Sequence, residues 1–377
     1  MTSEQIAARR ADIDAKQHQV AEVLEELGCE AALLLLPTHV AWFTCGLTAR
    51  GLVADNERPG IFTNGRQRWL VCSNVDSQRF FDESLDHLGF QLKEWTWSAG
   101  RADLLHNLCT GRKMASDRPF SGVVLANEKL RPLMRTLSPY ERADLAELGR
   151  ITVHAVEATA RGLRPGDTEE EAAGQLGHRL LHHGVEPVAL DVKADDRGRK
   201  YRRAGFTAAA ATTLCFLQAT AQRNGQYVTV GRTVAFGPPQ ERLRTEYDHA
   251  ARLAALHHSL SIPGETVTGA VAAQTKLLAG TEYEFEALRN PLVYGCGRVP
   301  ADELRRGGHD EPFVGEQALV WQTRVGAAAV VDTVIVSYRG AVVRTPSEEW
   351  PIKRIRIGAH PHIIPDLLVR EASNRAV

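Results

Sequence analysis

One stretch of this sequence decides its fold: Phe216-Leu-Gln-Ala-Thr-Ala-Gln-Arg-Asn-Gly-Gln-Tyr-Val-Thr-Val-Gly-Arg-Thr-Val-Ala-Phe-Gly237. Apolar and polar residues alternate on both sides of Asn224-Gly225, and this dipeptide accepts the positive φ angles of a tight hairpin turn. The stretch therefore predicts two paired β-strands. Side chains at alternate positions share one face of a strand, so four polar residues are candidates to line a pocket. They are Gln218, Thr220, Tyr227 and Thr229.

Composition limits the kinds of partner this chain can have. The length of 377 residues predicts two or three domains. A formal net charge of -1 and a pI near 6.9 give no electrostatic case for binding nucleic acid or an anionic membrane. The longest apolar run, Ala31 to Leu36, is too short to span a bilayer, and the N-terminus lacks the apolar core of a signal peptide. We therefore expect a cytoplasmic protein with no nucleic-acid and no membrane partner.

The cysteines indicate free thiols. The six are scattered along the chain, with no Cys-x-x-Cys pair and no histidine at metal-ligand spacing. In a cytoplasmic chain of this size, such cysteines are mostly small core residues.

The first third of the chain alternates helical and strand patterns. Apolar residues recur at helical spacing from Ser3 to Leu27, and Gly28 stops that helix. A second helix is predicted from Ser77 to Leu88. Strands are predicted at 31–36, 40–44, 60–63, 69–72 and 91–97. This alternation predicts an α/β domain with a largely parallel sheet, which we place at residues 1–135.

The rest of the chain contains an internal repeat. Helices predicted from Ser138 to about Leu163 and from there to about His183 precede strands at 188–194 and 214–236. Helices at 241–260 and 266–278 then precede strands within 317–345. A Pro-Gly-[Asp/Glu]-Thr turn separates each helix pair, at Pro165 and at Pro263. The pattern predicts an α+β domain, residues 136–377, with two related halves and a site between them.

Several motifs carry a resemblance to a known family. They are Leu163–Glu171, the hairpin with Gly225 and Arg232, Val330–Val336 followed by Gly340, Asp195–Arg203, Ser73–Asp76, Val320–Thr323 and Trp350-Pro351. In order and spacing they resemble the pita-bread proteins, namely creatinase, aminopeptidase P, prolidase and methionine aminopeptidase, and in particular an Xaa-Pro-peptidase-like subfamily. The N-terminal third resembles the creatinase-type N-terminal domain. The resemblance implies a pita-bread fold with an internal pseudo-two-fold repeat, and a homodimer.

The same resemblance shows what this chain lacks. Family peptidases hold two metal ions with two Asp, one His and two Glu, and these ions activate a water molecule and polarise a carbonyl. The matching positions are Gln218, Thr229, Gln322 and Val331, and the glycine-rich stretch Tyr294–Arg298 has no histidine. Neutral amides and a hydroxyl cannot neutralise two divalent cations. We therefore expect no metal and no cofactor. Arg203 stands where creatinase has its histidine base, so that chemistry is not carried over either.

A different set of polar residues remains at the expected site. Guanidinium forks suit a substrate carboxylate or phosphate, and with amides they can stabilise an anionic transition state. The candidate catalytic residues are Asp195, Arg197, Arg202, Arg203, Gln218, Thr229, Cys296, Gln322 and Asp332. The candidate substrate-binding residues are Tyr227, Arg232, Arg298, His309, Trp321 and His39.

Structural alternatives stay open for many of these candidates. The arginine run could form a salt-bridged surface loop, Cys296 could be a small residue in a tight turn, and His309 could be a surface residue. Asp332 could bond neighbouring strands, and Trp321 could belong to the core. The adjacent pairs His182-His183 and His257-His258 are predicted to be helix-face residues, because neighbours on a helix cannot both face one site.

Two functions follow from the sequence. The first is a metal-independent enzyme that acts on a small, carboxylate-bearing, amino-acid-like or acylated metabolite, as a hydrolase or lyase in a biosynthetic (secondary-metabolite) pathway. The alternative is a catalytically inactive pseudopeptidase that binds a peptide or protein partner. Polar and charged replacements at the ligand positions favour the first, since an abandoned site tends to fill with apolar side chains.

Overall fold

The computed structural model describes residues 2–120, 122–306 and 308–371, with residue 306 described by its backbone alone. These residues divide into two compact units. The first ends at Glu141 and includes Asn224–Gln226, and the second contains the remainder. No helix in the described ranges is long and apolar enough to cross a membrane.

The first unit is an α/β structure around a six-stranded sheet of order β4-β3-β2-β1-β5-β6. Its helices are α1 Ser3–Leu27, α2 Pro37–Thr44, α3 Ser77–Phe80, which continues as a wider turn to Leu85, α4 Ala102–Cys109 and α5 Asn127–Arg135. Its strands are β1 Ala31–Leu34, β2 Gly60–Thr63, β3 Arg68–Ser73, β4 Gln91–Trp95, β5 Met114–Ser116 and β6 Val123–Leu125. Thr2 and Gln5 form a capping box at the start of α1, and Gly28 ends it in the left-handed conformation.

Two sequence predictions for this unit were wrong. Residues 40–44 belong to helix α2, whose side chains from His39 to Thr44 are all buried, so apolar periodicity could not separate helix from strand. Pro37 at the first turn is the helix signal. The sheet is mixed, because β1–β2 and β2–β3 are antiparallel while the other three pairings are parallel. The Asn64-Gly65 turn between β2 and β3 predicts that hairpin.

The second unit is built on an eight-stranded sheet. Its helices are α6 Pro139–Gly162, which begins in the first unit, α7 Glu169–His182, α8 Arg197–Lys200, α9 Glu241–Ser259, α10 Val267–Leu278 and α11 Glu286–Arg289. Its strands are β7 Glu186–Ala194, β8 Leu214–Arg223, β9 Gln226–Phe236, β10 Val293–Cys296, β11 Arg305–Arg306, β12 His309–Asp310, β13 Ala318–Val325, β14 Ala328–Ile335, β15 Val342–Val343, β16 Ile352–Ile357, β17 His360–Pro365 and β18 Leu368–Arg370.

The main sheet shows the predicted repeat. Six of its eight strands lie in the order β10-β13-β14-β9-β8-β7, while β15 pairs with β14 and β18 pairs with β9. This order places the last long strand of each half at the centre, where Val331 of β14 lies opposite Gly231 of β9. The two Pro-Gly turns end in Thr168 and Thr266, whose side chains accept from the third backbone N–H of α7 and α10. The predicted internal repeat is therefore confirmed at the level of elements, sheet order and helix caps.

Helices cover one face of this sheet. Apolar residues of α9, among them Tyr247 and Ala254, pack with Val325 and Val330 in one core cluster. Trp321 belongs to a second cluster that includes Ala270 of α10. Because side chains alternate along a strand, residues 320, 322 and 324 of β13 project from the opposite face, here called the inner face.

Candidate functional site

Sheet register brings together, on the inner face, the four positions that match the metal ligands of the family peptidases. Gln322 lies opposite Val331, and Gln218 lies opposite Asp191 of β7. Thr229 Oγ1 lies 2.9 Å from Thr220 Oγ1, so these two hydroxyls bond each other across the hairpin. The predicted hairpin of β8 and β9 is confirmed, and it carries two of the four positions.

Two buried cations lie on this face, and sequence analysis selected neither of them. Arg324 Nη2 lies 3.5 Å from Gln218 Oε1, and the guanidinium stands 4.5 Å from the ring centroid of Phe216. Lys193 also lies over that ring, with Nζ 5.0 Å from its centroid. Both residues are at least 95% buried, at 4% and 1% exposure respectively. Burial lowers the pKa of Arg324 to about 10, although Asp191 opposes the effect.

Asp191 is the counter-charge of this cationic pair. Its Oδ2 lies 2.6 Å from Lys193 Nζ and 3.9 Å from Arg324 Nη2. Burial and the neighbouring Arg324 nevertheless lower the pKa of Lys193 to about 8, because one partly shared carboxylate does not offset both effects. The inner face therefore has an excess of fixed positive charge at the Gln218 position.

Arg324 is incompletely paired. Its Nε has no hydrogen-bond partner in the part of the chain that the structure describes. Its Nη2 makes a long bond to Gln218 and lies 3.9 Å from Asp191 Oδ2. A buried, under-paired guanidinium is costly unless an acceptor completes it. An anion bound at this place would supply that acceptor.

The arginines of the predicted Asp195–Arg203 motif form structural ion pairs. Arg197 Nε lies 2.7 Å from Glu169, and Arg202 Nη2 lies 2.6 Å from Glu286. Arg199 forms a bidentate pair with Glu246. These contacts hold the segment against α7, α9 and α11, so they count against the catalytic roles predicted for Arg197 and Arg202. Arg203 is exposed and donates to the Tyr294 hydroxyl, and it is the member of this motif that reaches the β10 end of the inner face.

Asp195 organises a loop. It has φ +47°, a strained value for a residue with a side chain, and its carboxylate accepts from Thr212, Thr213 and Leu214. Burial alone would raise the pKa of Asp195, but these hydrogen bonds outweigh it and hold the pKa below its usual value. Asp195 and Arg199 line a surface cleft of about 370 Å³ at the end of β9. The dense backbone bonding is typical of a structural carboxylate.

Arg232 and Asp332 form a buried core pair, which contradicts the sites proposed for them. Arg232 is 1% exposed, and its guanidinium contacts Asp332 at 3.0 Å and Glu157 at 3.2 Å. It also donates to Ser347 and to backbone carbonyls of residues 231, 331 and 345. Burial raises the pKa of Asp332, although Arg232 and Thr345 oppose the rise. No donor of Arg232 is left for a substrate, because every guanidinium nitrogen is bonded within the core.

Two further candidates are packing residues. Trp321 is 1% exposed, donates to Ser261 Oγ and stacks on His257 at 4.5 Å, so it is a core residue. His39 is buried in the first unit, 2.9 Å from Asp117. Asp117 also accepts from the backbone N–H of Leu35, so His39 belongs to the framework at the start of α2. Neither residue offers a free polar group to a substrate.

The remaining candidates differ in position. Burial raises the pKa of the Cys296 thiol, which is the opposite of what a nucleophile needs. His309 is exposed on β12, in a two-stranded ladder separate from the main sheet. Tyr227 pairs through its backbone with Gly297, and Arg298 is 6% exposed. Tyr227 and Cys296 stay on inner-face strands, while His309 does not.

Solved structures share this architecture. Dipeptidase PepE from Mycobacterium ulcerans matches with a TM-score of 0.74 at 16% identity, covering 96% of this chain and 99% of that chain. This chain has the pita-bread fold. The prolidase from Pyrococcus horikoshii OT3 matches with a TM-score of 0.74 at 15% identity, covering 89% of this chain and 99% of that chain. The X-Pro aminopeptidase from Thermotoga maritima MSB8 matches with a TM-score of 0.74 at 13% identity, covering 94% of this chain and 99% of that chain. No protein-family model and no curated protein sequence matches the chain.

The donors on this pita-bread sheet do not fit a pair of divalent cations. The positions that the resemblance assigns to metal ligands offer two amides, one hydroxyl already bonded to Thr220, and the isopropyl group of Val331. The Arg324 guanidinium beside Gln218 would also repel a metal ion. We therefore derive no chemistry through a metal here.

A group of carboxylate and thiol side chains in the first unit has its potential ligand atoms close together, but a lysine already occupies it. Asp12, Cys45 and Glu141 bring ligand atoms within 4.8 Å of one another. The Lys16 ammonium bonds to all three, at 2.7 Å from Asp12 and 3.1 Å from Cys45, and also to Glu141. This cluster is a buried ion-pair network of the first unit.

Proposed function

We propose that this chain is a metal-independent enzyme with a pita-bread fold. It acts on a small, carboxylate-bearing, amino-acid-like or acylated metabolite as a hydrolase or lyase, in the cytoplasm and within a biosynthetic pathway. The observation that supports this most is the under-paired Arg324 beside Gln218. Gln218 stands at a position where the resemblance places a metal-bound aspartate.

Fixed cations can supply part of what metal ions supply. Metal ions stabilise the negative charge that develops on a reacting oxygen, and a preorganised guanidinium or ammonium does the same in a site shielded from water. Arg324 and Lys193 are held in place by Asp191 and Phe216, so they need no rearrangement when that charge develops. The lowered pKa of Lys193 also suits proton transfer near neutral pH.

The matched structures support the proposed substrate class. They are named dipeptidase, prolidase and X-Pro aminopeptidase, whose substrates are amino-acid derivatives by those names. An anionic group that completes Arg324 would be the substrate carboxylate or the oxyanion of the reacting carbonyl. As in the resemblance, the proposed assembly is a homodimer, which light scattering of the purified protein tests.

One observation favours the alternative, a catalytically inactive pseudopeptidase. Phe216, Val320, Ala329 and Val331 form an apolar cluster on the inner face, and Cys296 packs against it. Val331 occupies a ligand position, so this part of the site has filled with apolar side chains. Such a surface suits a peptide or protein partner better than a reacting carboxylate.

A thermal-shift screen separates the two proposals. The native protein is heated with a panel of N-acyl amino acids, dipeptides and simple carboxylates, in parallel with Arg324→Gln and the exposed control Arg150→Gln. A ligand at about 100 times its dissociation constant adds roughly 2.7 kcal/mol to the native state. We expect a shift in native protein and control, and none in Arg324→Gln. Absence of a shift with every compound, together with a co-purifying protein, would favour the pseudopeptidase.

A further inference from the structure

A cluster of four histidines lies outside the inner face. His154 is on α6, His178 and His182 are on α7, and His183 caps the end of α7. All four side chains are exposed. We call this group the histidine cluster; neither the fold nor the proposed reaction uses it.

The rings form a continuous chain. The centroids of His178 and His182 are 6.2 Å apart, those of His182 and His183 are 5.2 Å apart, and those of His183 and His154 are 6.4 Å apart. His178 and His182 are four residues apart, so they share one side of α7. His183 leaves the helical conformation at ψ 15°, which lets its ring turn beside that of His182 although the two are adjacent in sequence.

These spacings suit a transition-metal ion. Imidazole rings bound to one tetrahedral Zn²⁺ at about 2.0–2.1 Å have centroids roughly 5 Å apart. Exposed side chains reach that spacing by small rotations about their side-chain bonds. Two histidines four residues apart on a helix are also a recurrent chelating pair.

The helix dipole does not account for the whole cluster. An imidazole at the C-terminal end of a helix is favourable, which suffices for His182 and His183. His178 lies a full turn earlier, and His154 is on another helix. A shared ligand would account for the three ring contacts that link all four.

We propose that the histidine cluster binds one zinc-class divalent ion through neutral imidazole nitrogens. The chemistry selects borderline metals such as Zn²⁺, Ni²⁺ or Cu²⁺ over Mg²⁺ or Ca²⁺, which prefer oxygen ligands. The site is separate from the inner face, so binding here leaves the metal-independent reaction unaffected.

Calorimetric titration of the untagged full chain with ZnCl₂ tests this proposal. We expect saturable binding of one equivalent, weakened at least about tenfold in His178→Ala/His182→Ala. The single variants His183→Ala and His154→Ala should each weaken binding as well. Circular dichroism melts identify any variant that fails to fold. Mg²⁺ should give no saturable heat.

The control is His18→Ala, which removes an exposed histidine whose side chain is 78% accessible on α1. It should bind zinc as the native protein does. Absence of saturable binding by the native protein would overturn the proposal. Native affinity in His178→Ala/His182→Ala, or in both single variants, would overturn it too.

Discussion

Arg324 Nη2 lies 3.5 Å from Gln218 Oε1, across two strands that belong to different halves of the repeat. The position of Gln218 is one at which the resemblance places a metal-binding aspartate. At this position the structure has a neutral amide with a cation beside it. Where the resemblance implies an aspartate and a metal ion, we propose that Gln218 and the positive charge of Arg324 stand instead. This relationship is the basis of the proposed metal-independent chemistry.

Replacing Arg324 by Met should separate function from stability. The contacts of Arg324 to Gln218 and Asp191 are long, and Asp191 keeps Lys193 as a partner at 2.6 Å, so Arg324→Met leaves no buried carboxylate unpaired. We expect Arg324→Met to unfold at an equal or higher urea concentration and to lose any shift caused by a carboxylate ligand. A large loss of stability would instead make Arg324 a structural residue.

Asp332→Ala should destabilise the second unit strongly. It leaves the Arg232 guanidinium, 1% exposed, with one fewer counter-charge, and breaking a buried pair costs about 3–5 kcal/mol. Glu157 still contacts Arg232, so we expect the lower end of that range. Urea unfolding followed by circular dichroism measures it.

The matched control is Glu147→Ala, which removes an exposed ion pair with Arg150 on α6. Such surface pairs contribute about 0–1 kcal/mol. Equal losses in Asp332→Ala and Glu147→Ala would contradict the structural role assigned to Asp332.

Two buried histidines predict a loss of stability in mild acid. Burial lowers the pKa of His257 and of His258 to about 3, so both stay neutral in the native state while the unfolded chain takes up protons below about pH 6.5. The unfolded state then binds more protons, and stability falls as the pH decreases from 6.5 towards 3. Each histidine should lower the free energy of unfolding by about 2 kcal/mol at pH 5.

His257→Gln should reduce this pH dependence. A glutamine can still bond Thr323 and Gln274, the two partners of His257, but does not titrate. We measure the free energy of unfolding in urea at pH 7, 6 and 5. In His257→Gln it should fall by about half of the amount that the two histidines cause in the native protein. An unchanged slope would mean that His257 is not the group responsible.

Gly149→Ala should destabilise α6, although alanine usually stabilises a helix. A Cβ at Gly149 would meet the Arg344 carbonyl oxygen at 1.9 Å, so the helix could no longer approach that backbone. Gly174 on α7 has open space around the same position, and there alanine should add roughly 0.5–1 kcal/mol. A lower melting temperature in Gly149→Ala and a higher one in Gly174→Ala would confirm that α6 approaches the Arg344 backbone closely. A higher melting temperature in Gly149→Ala would exclude it.

Much of the fold follows from local sequence. The hairpin of β8 and β9, the exact limits of α1, and the caps Thr168 and Thr266 all depend on turn and capping residues close to them in the chain. Helix α2 does not follow from local sequence. Its side chains from His39 to Thr44 are buried on all sides, so the sequence shows no single apolar face. The β16–β17 hairpin is not among the predicted elements, because Ile352, Ile355 and Ile357 do not alternate strictly with polar residues.

The site was less predictable because it depends on partners far apart in the chain. Arg197 and Arg202 look like anion-binding residues until Glu169 and Glu286 are brought to them from other helices. Arg324 is not part of the motifs that carry the resemblance, although it lies two residues after Gln322 and therefore on the same strand face. That alternation was the available signal. The partial pairing of Arg324 could not be inferred without the sheet register.

Metal analysis tests directly whether the inner face of the main sheet binds metal ions. The His178→Ala/His182→Ala variant, which lacks the proposed surface site, is purified without chelators, incubated with Mn²⁺, Co²⁺ or Zn²⁺, desalted and analysed by atomic emission. We expect far less than one retained ion per chain, because Gln218, Thr229, Gln322 and Val331 cannot replace anionic ligands. Two retained ions per chain would contradict this expectation.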